Sequence, residues 1–155
     1  MHTDFSPETL VKLEDVLPTI KEQLAAGKSV CIYPRGTSML PMLRQGVDSV
    51  VLSPLPKKLR KYDIPFYCRD NGVYVLHRVV KVGDTYTCVG DNQFQLEHGL
   101  RHDQMIAVVT GFYRDKKYIP VEAMGYKLYC RFWHYSRFFR RCWRWLKRQI
   151  KRVLG

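Results

Sequence analysis

A serine, a histidine and several carboxylates stand in this 155-residue chain where together they could run acyl transfer. Ser38 lies in Gly36-Thr37-Ser38-Met39-Leu40-Pro41-Met42-Leu43, directly after a β-rich run. Pro41 keeps the chain from passing straight into a helix, so the hydroxyl can be presented on a turn. Alone, such a serine more often satisfies only local backbone groups. His77, in His77-Arg78-Val79-Val80, falls inside a long β run that begins at Val73, and alternation puts Val75, His77 and Val79 on one face. A core histidine bonded to backbone is the commoner reading of that pattern. Yet serine is no nucleophile at neutral pH without a neighbouring proton acceptor, and a base must be fixed on a rigid element. Gly90-Asp91-Asn92 follows the next β run, with Glu97 and Asp103 downstream. A tight turn explains Gly-Asp-Asn by itself. A carboxylate that accepts from one imidazole nitrogen also sets the tautomer and frees the other nitrogen for the serine proton.

The elements that must position these groups are short and mostly extended. Ser6, Pro7 and Glu8 read as a helix start, followed by Leu10, Leu13, Val16 and Leu17 at helical spacing. Pro18 is expected to bend or interrupt that helix, Ile20 and Leu24 resume its stripe, and Gly27 supplies a stop. From Ser29 onward come β-rich runs at Val30 to Tyr33, Ser49 to Leu52, Ile64 to Cys68, Val73 to Val82, Tyr86 to Val89, Ile106 to Tyr113 and Tyr118 to Val121. Runs at this spacing predict a mainly β, mostly antiparallel domain. Asp70-Asn71-Gly72 and Gly83-Asp84 are the turns flanking the longest run.

Charge divides the chain further. All 14 acidic residues precede Tyr126, whereas 10 of the 26 Lys and Arg lie at or after it. The body is thus almost neutral and the last 30 residues carry +10, which points to an anionic partner for the tail alone. Three zones follow: a helical lead-in over 1–28, a β domain over 29–125 and a basic, aromatic tail over 126–155. In the tail Leu128, Phe132, Tyr135, Phe139, Cys142, Leu146, Ile150 and Val153 recur at steps of three or four. Arg137, Arg140, Arg141, Arg144, Lys147, Arg148, Lys151 and Arg152 take the opposite arc, so a two-faced cationic helix is expected, in one piece or two. Cys31, Cys68, Cys88, Cys130 and Cys142 show no CxxC spacing, and no cofactor or metal site is expected. No secretory n-region and no long apolar stretch stands out, so a reducing cytoplasm is the expected location.

The order of these boxes resembles the superfamily of type I signal peptidases and LexA-like repressor peptidases, from about Ser29 to Val121. The Gly-x-Ser-Met-x-Pro-x-Leu box stands as Gly36 to Leu43, the Gly-x-Asp-x-Val element as Gly46 to Val50, and the Gly-Asp-Ile element as Tyr62-Asp63-Ile64. The His-Arg-Val-Val box is His77 to Val80, and the Gly-Asp-Asn box is Gly90 to Asn92. Histidine in place of the bacterial lysine is similar to the endoplasmic-reticulum and spore branch. The resemblance implies a LexA/signal-peptidase-like β domain with Ser38 as nucleophile, His77 as general base and Asp91 as orienting carboxylate. That branch carries a second acidic residue where this chain has Glu97, so both carboxylates stay open. Thr37, Met39 and Pro41 are the implied oxyanion and substrate contacts. Gly36 replaces a serine that often serves the oxyanion hole, and Tyr62 replaces the usual glycine.

Signal peptidases carry a transmembrane anchor, for which the basic tail is the substitute here. A helix with Phe, Trp and Leu on one side and Arg and Lys on the other can lie among anionic headgroups, each basic residue adding about 1 kcal/mol. Arg137, Arg140, Arg141, Trp143, Arg144, Lys147 and Arg148 are the expected membrane contacts, placing the protein peripherally on the inner face of the cell membrane. A bland alternative packs the apolar arc on the β domain. Arginines among aromatics could also grip single-stranded nucleic acid, but segregation of Phe132, Tyr135 and Phe139 from the arginines speaks against it. Two functions from different classes remain: a serine endopeptidase acting on a peptide or protein, and a catalytically silent module of the same fold that docks a membrane or nucleic acid through its tail. A self-cleaving repressor fits poorly, since its one Ala-Gly bond, Ala26-Gly27, is only about a dozen residues from Ser38.

Overall fold

The computed structural model describes residues 13–154, so the expected helix start at Ser6 to Leu10 lies outside the described residues. Helix α1 (Leu13–Ala25) runs unbroken through Pro18, contrary to the expected interruption. It buries Leu17, Ile20 and Leu24 and stops at Gly27, whose φ of 76° is the left-handed geometry that glycine takes without a Cβ penalty.

Among the described residues nine strands follow: β1 (Val30–Ile32), β2 (Ser49–Pro54), β3 (Pro65–Cys68), β4 (Tyr74–Leu76), β5 (Arg78–Val82), β6 (Tyr86–Val89), β7 (Glu97–Leu100), β8 (Met105–Arg114) and β9 (Lys117–Pro120). They form two antiparallel sheets. One has the order β1-β2-β8-β3-β4 with β9 also on β8, and the other has β5-β6-β7. The long run from Val73 to Val82 is therefore two strands in different sheets, with His77 as the single residue between them. Glu97 to Leu100 is a strand the β-run pattern did not show, held by Tyr86 and Cys88 of β6.

Helix α2 (Met124–Tyr135) and helix α3 (Arg137–Leu154) complete the chain, meeting at Ser136. Among the described residues helix and strand are equal in number, so the architecture is mixed rather than mainly β. The three compositional zones share one core. Leu17, Ile20 and Leu24 of α1 pack with Val50, Leu52, Phe66, Ala107 and Phe112 of the first sheet and with Tyr126 and Cys130 of α2. A second cluster, built on Tyr67, Val79, Cys88, Leu100 and Val108, fills the space where the sheets meet. Fully burying an aliphatic or aromatic side chain of this kind contributes about 1.5–3 kcal/mol, so both joints that carry the candidate site rest on packed side chains.

Candidate active site

The Ser38 turn is anchored from both ends. Met39, Met42 and Leu43 are buried in the first core cluster. Gly36, at φ 90°, donates its N–H to Gln45 Oε1 at 2.9 Å. Arg44 and Asp48 close the segment with a 2.7 Å ion pair whose carboxylate is fully buried. Gly36 thus supplies a conformation that L-residues resist, and Met39 and Leu43 supply anchorage. Ser38 itself stays half-buried between exposed Thr37 and buried Met39. Met39 faces the core, which corrects its expected place among substrate contacts. Thr37 and Pro41 are exposed.

His77 is buried at the junction of the sheets. Its Nδ1 lies 2.7 Å from Glu97 Oε1. Glu97 is in turn held by Arg69 through Nη2 at 2.6 Å and Nε at 2.8 Å, and by the Tyr67 hydroxyl at 3.0 Å. Because β6 separates β5 from β7, the carboxylate comes from the second strand along rather than from the nearest box in sequence. Burial pulls the His77 pKa below its ordinary value, the Glu97 charge opposing it. Burial would raise Glu97, but the Arg69 hydrogen bonds and the charge of His77 outweigh it and hold the carboxyl low. At neutral pH the pair is then a carboxylate and a neutral imidazole with Nδ1 protonated and Nε2 free to accept.

Asp91 has a different partner. Its oxygens accept from Arg78 Nε at 2.8 Å and Nη2 at 2.7 Å, and both side chains are almost wholly buried. Arg78 also donates to the carbonyl of Tyr62 and the hydroxyl of Tyr126. Tyr129 donates to Asp91 Oδ2. Asp91 therefore does not orient His77, correcting the expectation from its box; it neutralises the arginine next to the histidine. Asp103 pairs on the surface with Arg101 at 3.2 Å.

The rest of the Gly90-Asp91-Asn92 box joins the histidine to the serine turn. A β-carbon on Gly90 would stand 2.6 Å from the Ser38 carbonyl oxygen and 3.1 Å from His77 Nε2. Glycine is required there because Ser38 and His77 converge on that point. Asn92 donates its N–H to the Ser38 carbonyl at 2.8 Å and its Nδ2 to the Thr37 carbonyl at 3.1 Å. Among the described residues no hydrogen bond joins the Ser38 hydroxyl to His77. Arg69 and Tyr67 carried no recognisable signal in sequence, and Asn92 entered only as the last residue of its box; Arg78, beside His77, could have been read as the acid's partner.

Tyr62, where the resembled family has glycine, adopts φ 81°. Its N–H nevertheless bonds the Val79 carbonyl at 2.8 Å, and Val79 N–H bonds the Asp63 carbonyl at 2.8 Å, so the left-handed residue ties this turn to β5 just past His77. No group of three or more His, Cys, Asp or Glu side chains among the described residues is placed to hold a metal.

The tail does not pack its apolar arc on the β domain, contrary to the bland sequence alternative. The basic arc of α3 faces the domain: Arg137 donates to the Phe94 carbonyl at 2.7 Å, Arg140 to the Asp91 carbonyl at 3.1 Å and Arg144 to Asn92 Oδ1 at 3.1 Å. Those three are therefore engaged with the protein, correcting their expected role as free membrane contacts, while Arg141, Lys147 and Arg148 stay exposed. The apolar arc points outward, with Phe139 73% and Trp143 60% exposed. No helix among the described residues is long and apolar enough to cross a membrane. Comparison with protein-family models, curated proteins and solved structures returns no match for this chain.

Proposed function

We propose that this chain is a serine endopeptidase of the signal-peptidase-like and LexA-like kind, in its serine-histidine branch, working through Ser38, His77 and Glu97. The observation that carries the reading is the 2.7 Å contact from His77 Nδ1 to Glu97, with the opposite ring nitrogen and the Ser38 carbonyl both bordering the space beside Gly90. Ser38 Oγ attacks the scissile carbonyl while Nε2 takes its proton, and Glu97 stabilises the imidazolium that forms. The tetrahedral intermediate collapses as Nε2 returns that proton to the departing amine, leaving an ester on Ser38. Water, deprotonated by the same nitrogen, then releases the acid and restores the serine. The oxyanion rests on the Ser38 N–H with the Thr37 hydroxyl beside it.

Substrate is an extended peptide segment added to β4, a terminal strand of its sheet, which ends beside His77. The test is acylation by a serine-reactive ester probe, read by intact mass, in the parent and in Ser38→Ala and His77→Ala. Label on the parent that disappears in both variants supports the reading. Label retained in both, or none on the folded parent, defeats it and favours the silent binding module.

The same reading places the enzyme on the inner face of the cell membrane. What supports this is the outward apolar arc of α3 flanked by exposed Arg141, Lys147 and Arg148, with no carboxylate anywhere in the helix. A second copy docking there would set cation against cation. Co-sedimentation with vesicles rich in phosphatidylserine, but not with neutral ones, is the expected result; preference for RNA at moderate salt would overturn it.

A further inference from the structure

An amphipathic helix usually turns its apolar face to the domain, yet α3 docks by its arginines, and among the described residues their hydrogen bonds to the β domain all fall on a single segment, residues 91–94. The Asp91 carbonyl accepts from Trp133 Nε1 at 2.8 Å and from Arg140 Nη1 at 3.1 Å, which uses both its lone pairs. The Phe94 carbonyl accepts from Arg137, and Asn92 Oδ1 accepts from Arg144. Arg140 also stacks on Trp133, 3.6 Å from the ring centroid, and is tied to the Trp133 carbonyl at 2.9 Å. The segment lies outside any strand, so its carbonyls have no sheet ladder to accept from, and guanidinium donors take that place with charge-assisted bonds. On its other side the same segment holds the nucleophile turn through the two Asn92 bonds to Thr37 and Ser38. The chain of contacts runs from α3 through residues 91–94 to Ser38, with space of only about 10 Å³ left at the junction, room for one water.

We propose that Trp133, Arg137, Arg140 and Arg144 are positioning residues for Ser38, so that the basic tail is a working part of the active site as well as its surface helix. The proposal rests on the peptidase reading and goes beyond it. Arg140 is the centre of the clamp because it alone bonds both α2 and the Asp91 carbonyl. Its loss frees the segment that sets the serine, and misplacement of a reacting group by about 1 Å can cost on the order of a hundredfold in rate.

The experiment measures maximal acylation rate and half-saturation with the ester probe, on the full chain, for Arg140→Ala, Arg140→Lys and, as a charge-matched surface control, Lys57→Ala. Arg140→Ala is expected to lower the maximal rate roughly ten- to hundredfold with half-saturation little changed. Arg140→Lys recovers part of the loss, since one ammonium reaches the Asp91 carbonyl without the second bond. Lys57→Ala matches the parent. A purely structural role would not split rate from half-saturation in this way. Hydrogen exchange at the Asn92 amide, which bonds the Ser38 carbonyl, rises in Arg140→Ala while exchange in β8 does not. Should Arg140→Ala fail to fold, Arg144→Ala, Asn92→Ala and their double variant form a cycle in which the two losses are non-additive because they cut one path. A folded Arg140→Ala that acylates at the parental rate, or strictly additive losses in the cycle, overturns the clamp while label on the parent leaves the peptidase reading standing. A folded parent that takes no label removes both.

Discussion

Replacing Glu97 by glutamine removes one charge and almost no volume, and the network around it leaves the amide no good orientation. Glu97 Oε1 accepts from His77 and Arg69 Nη2, and Oε2 accepts from Arg69 Nε and the Tyr67 hydroxyl. If the amide oxygen faces His77, its NH2 is set against an arginine N–H. If the NH2 faces His77 instead, Nδ1 must become the acceptor, Nε2 then carries the proton, and the nitrogen toward Ser38 is no longer a base. In both cases the charge that stabilises the imidazolium is gone. Loss of general-base catalysis is worth about 10²–10⁴ in rate, or about 3–5 kcal/mol of transition-state stabilisation at about 1.36 kcal/mol per decade. The assay is acylation by the ester probe across pH, with urea unfolding to confirm that the variant is folded. Burial holds His77 below its ordinary value of 6.5. Parental acylation should therefore rise with pH as the imidazolium loses its proton and level off by neutrality. Because Glu97 opposes that depression, the residual acid limb of Glu97→Gln should move to lower pH. A folded Glu97→Gln that acylates within a few-fold of the parent, with its acid limb unmoved, would refute the assignment of the carboxylate.

Asp91→Ala leaves the Arg78 guanidinium buried without its counter-charge, which should cost about 3–5 kcal/mol of folding stability, read as a lowered urea midpoint at unchanged slope. Gly90→Ala puts a methyl group 2.6 Å from the Ser38 carbonyl and 3.1 Å from His77 Nε2, so acylation should fall far more than stability; equal acylation would show that the two groups do not converge there. Tyr62→Gly should be more stable than Tyr62→Ala by about 1–2 kcal/mol, the cost of a left-handed L-residue, and equal urea midpoints would show that the turn relaxes. For His77 the unfolded chain binds a proton that the folded chain refuses, so its contribution is complete above pH 6.5 and is lost as pH falls toward the lowered folded value. A His77→Gln variant should show a flatter acid flank in a pH series of unfolding midpoints.

Much of the framework was legible in local chemistry. The β-rich runs beginning at Val30, Ser49, Ile64, Tyr86, Ile106 and Tyr118 each coincide with an observed strand, because alternation and β-branched residues act over a few positions. Gly27 and Gly72 sit at positive φ, where turn punctuation placed them. The failures come from long-range pairing. Val73 to Val82 reads as one strand because nothing local says that partners change at His77, yet β4 pairs with β3 while β5 pairs with β6. Glu97 to Leu100 lacks β-branched residues and is a strand only because β6 offers it a ladder.

Residue types and spacing were enough for the inventory: a presentable serine, a histidine in an extended run, carboxylates downstream, and a tail whose charge and apolar groups are segregated by helical period. Which group meets which depends on the folded arrangement. Asp91 and Glu97 are alike as sequence, but ion pairs and hydrogen bonds act over a few ångströms, and the order β5-β6-β7 brings Glu97 to His77 while Asp91 meets Arg78. The tail shows the same limit. Periodicity defines two faces of α3, whereas which face meets the domain depends on carbonyls of residues 91–94 that only folding places in reach of Arg137 and Arg140.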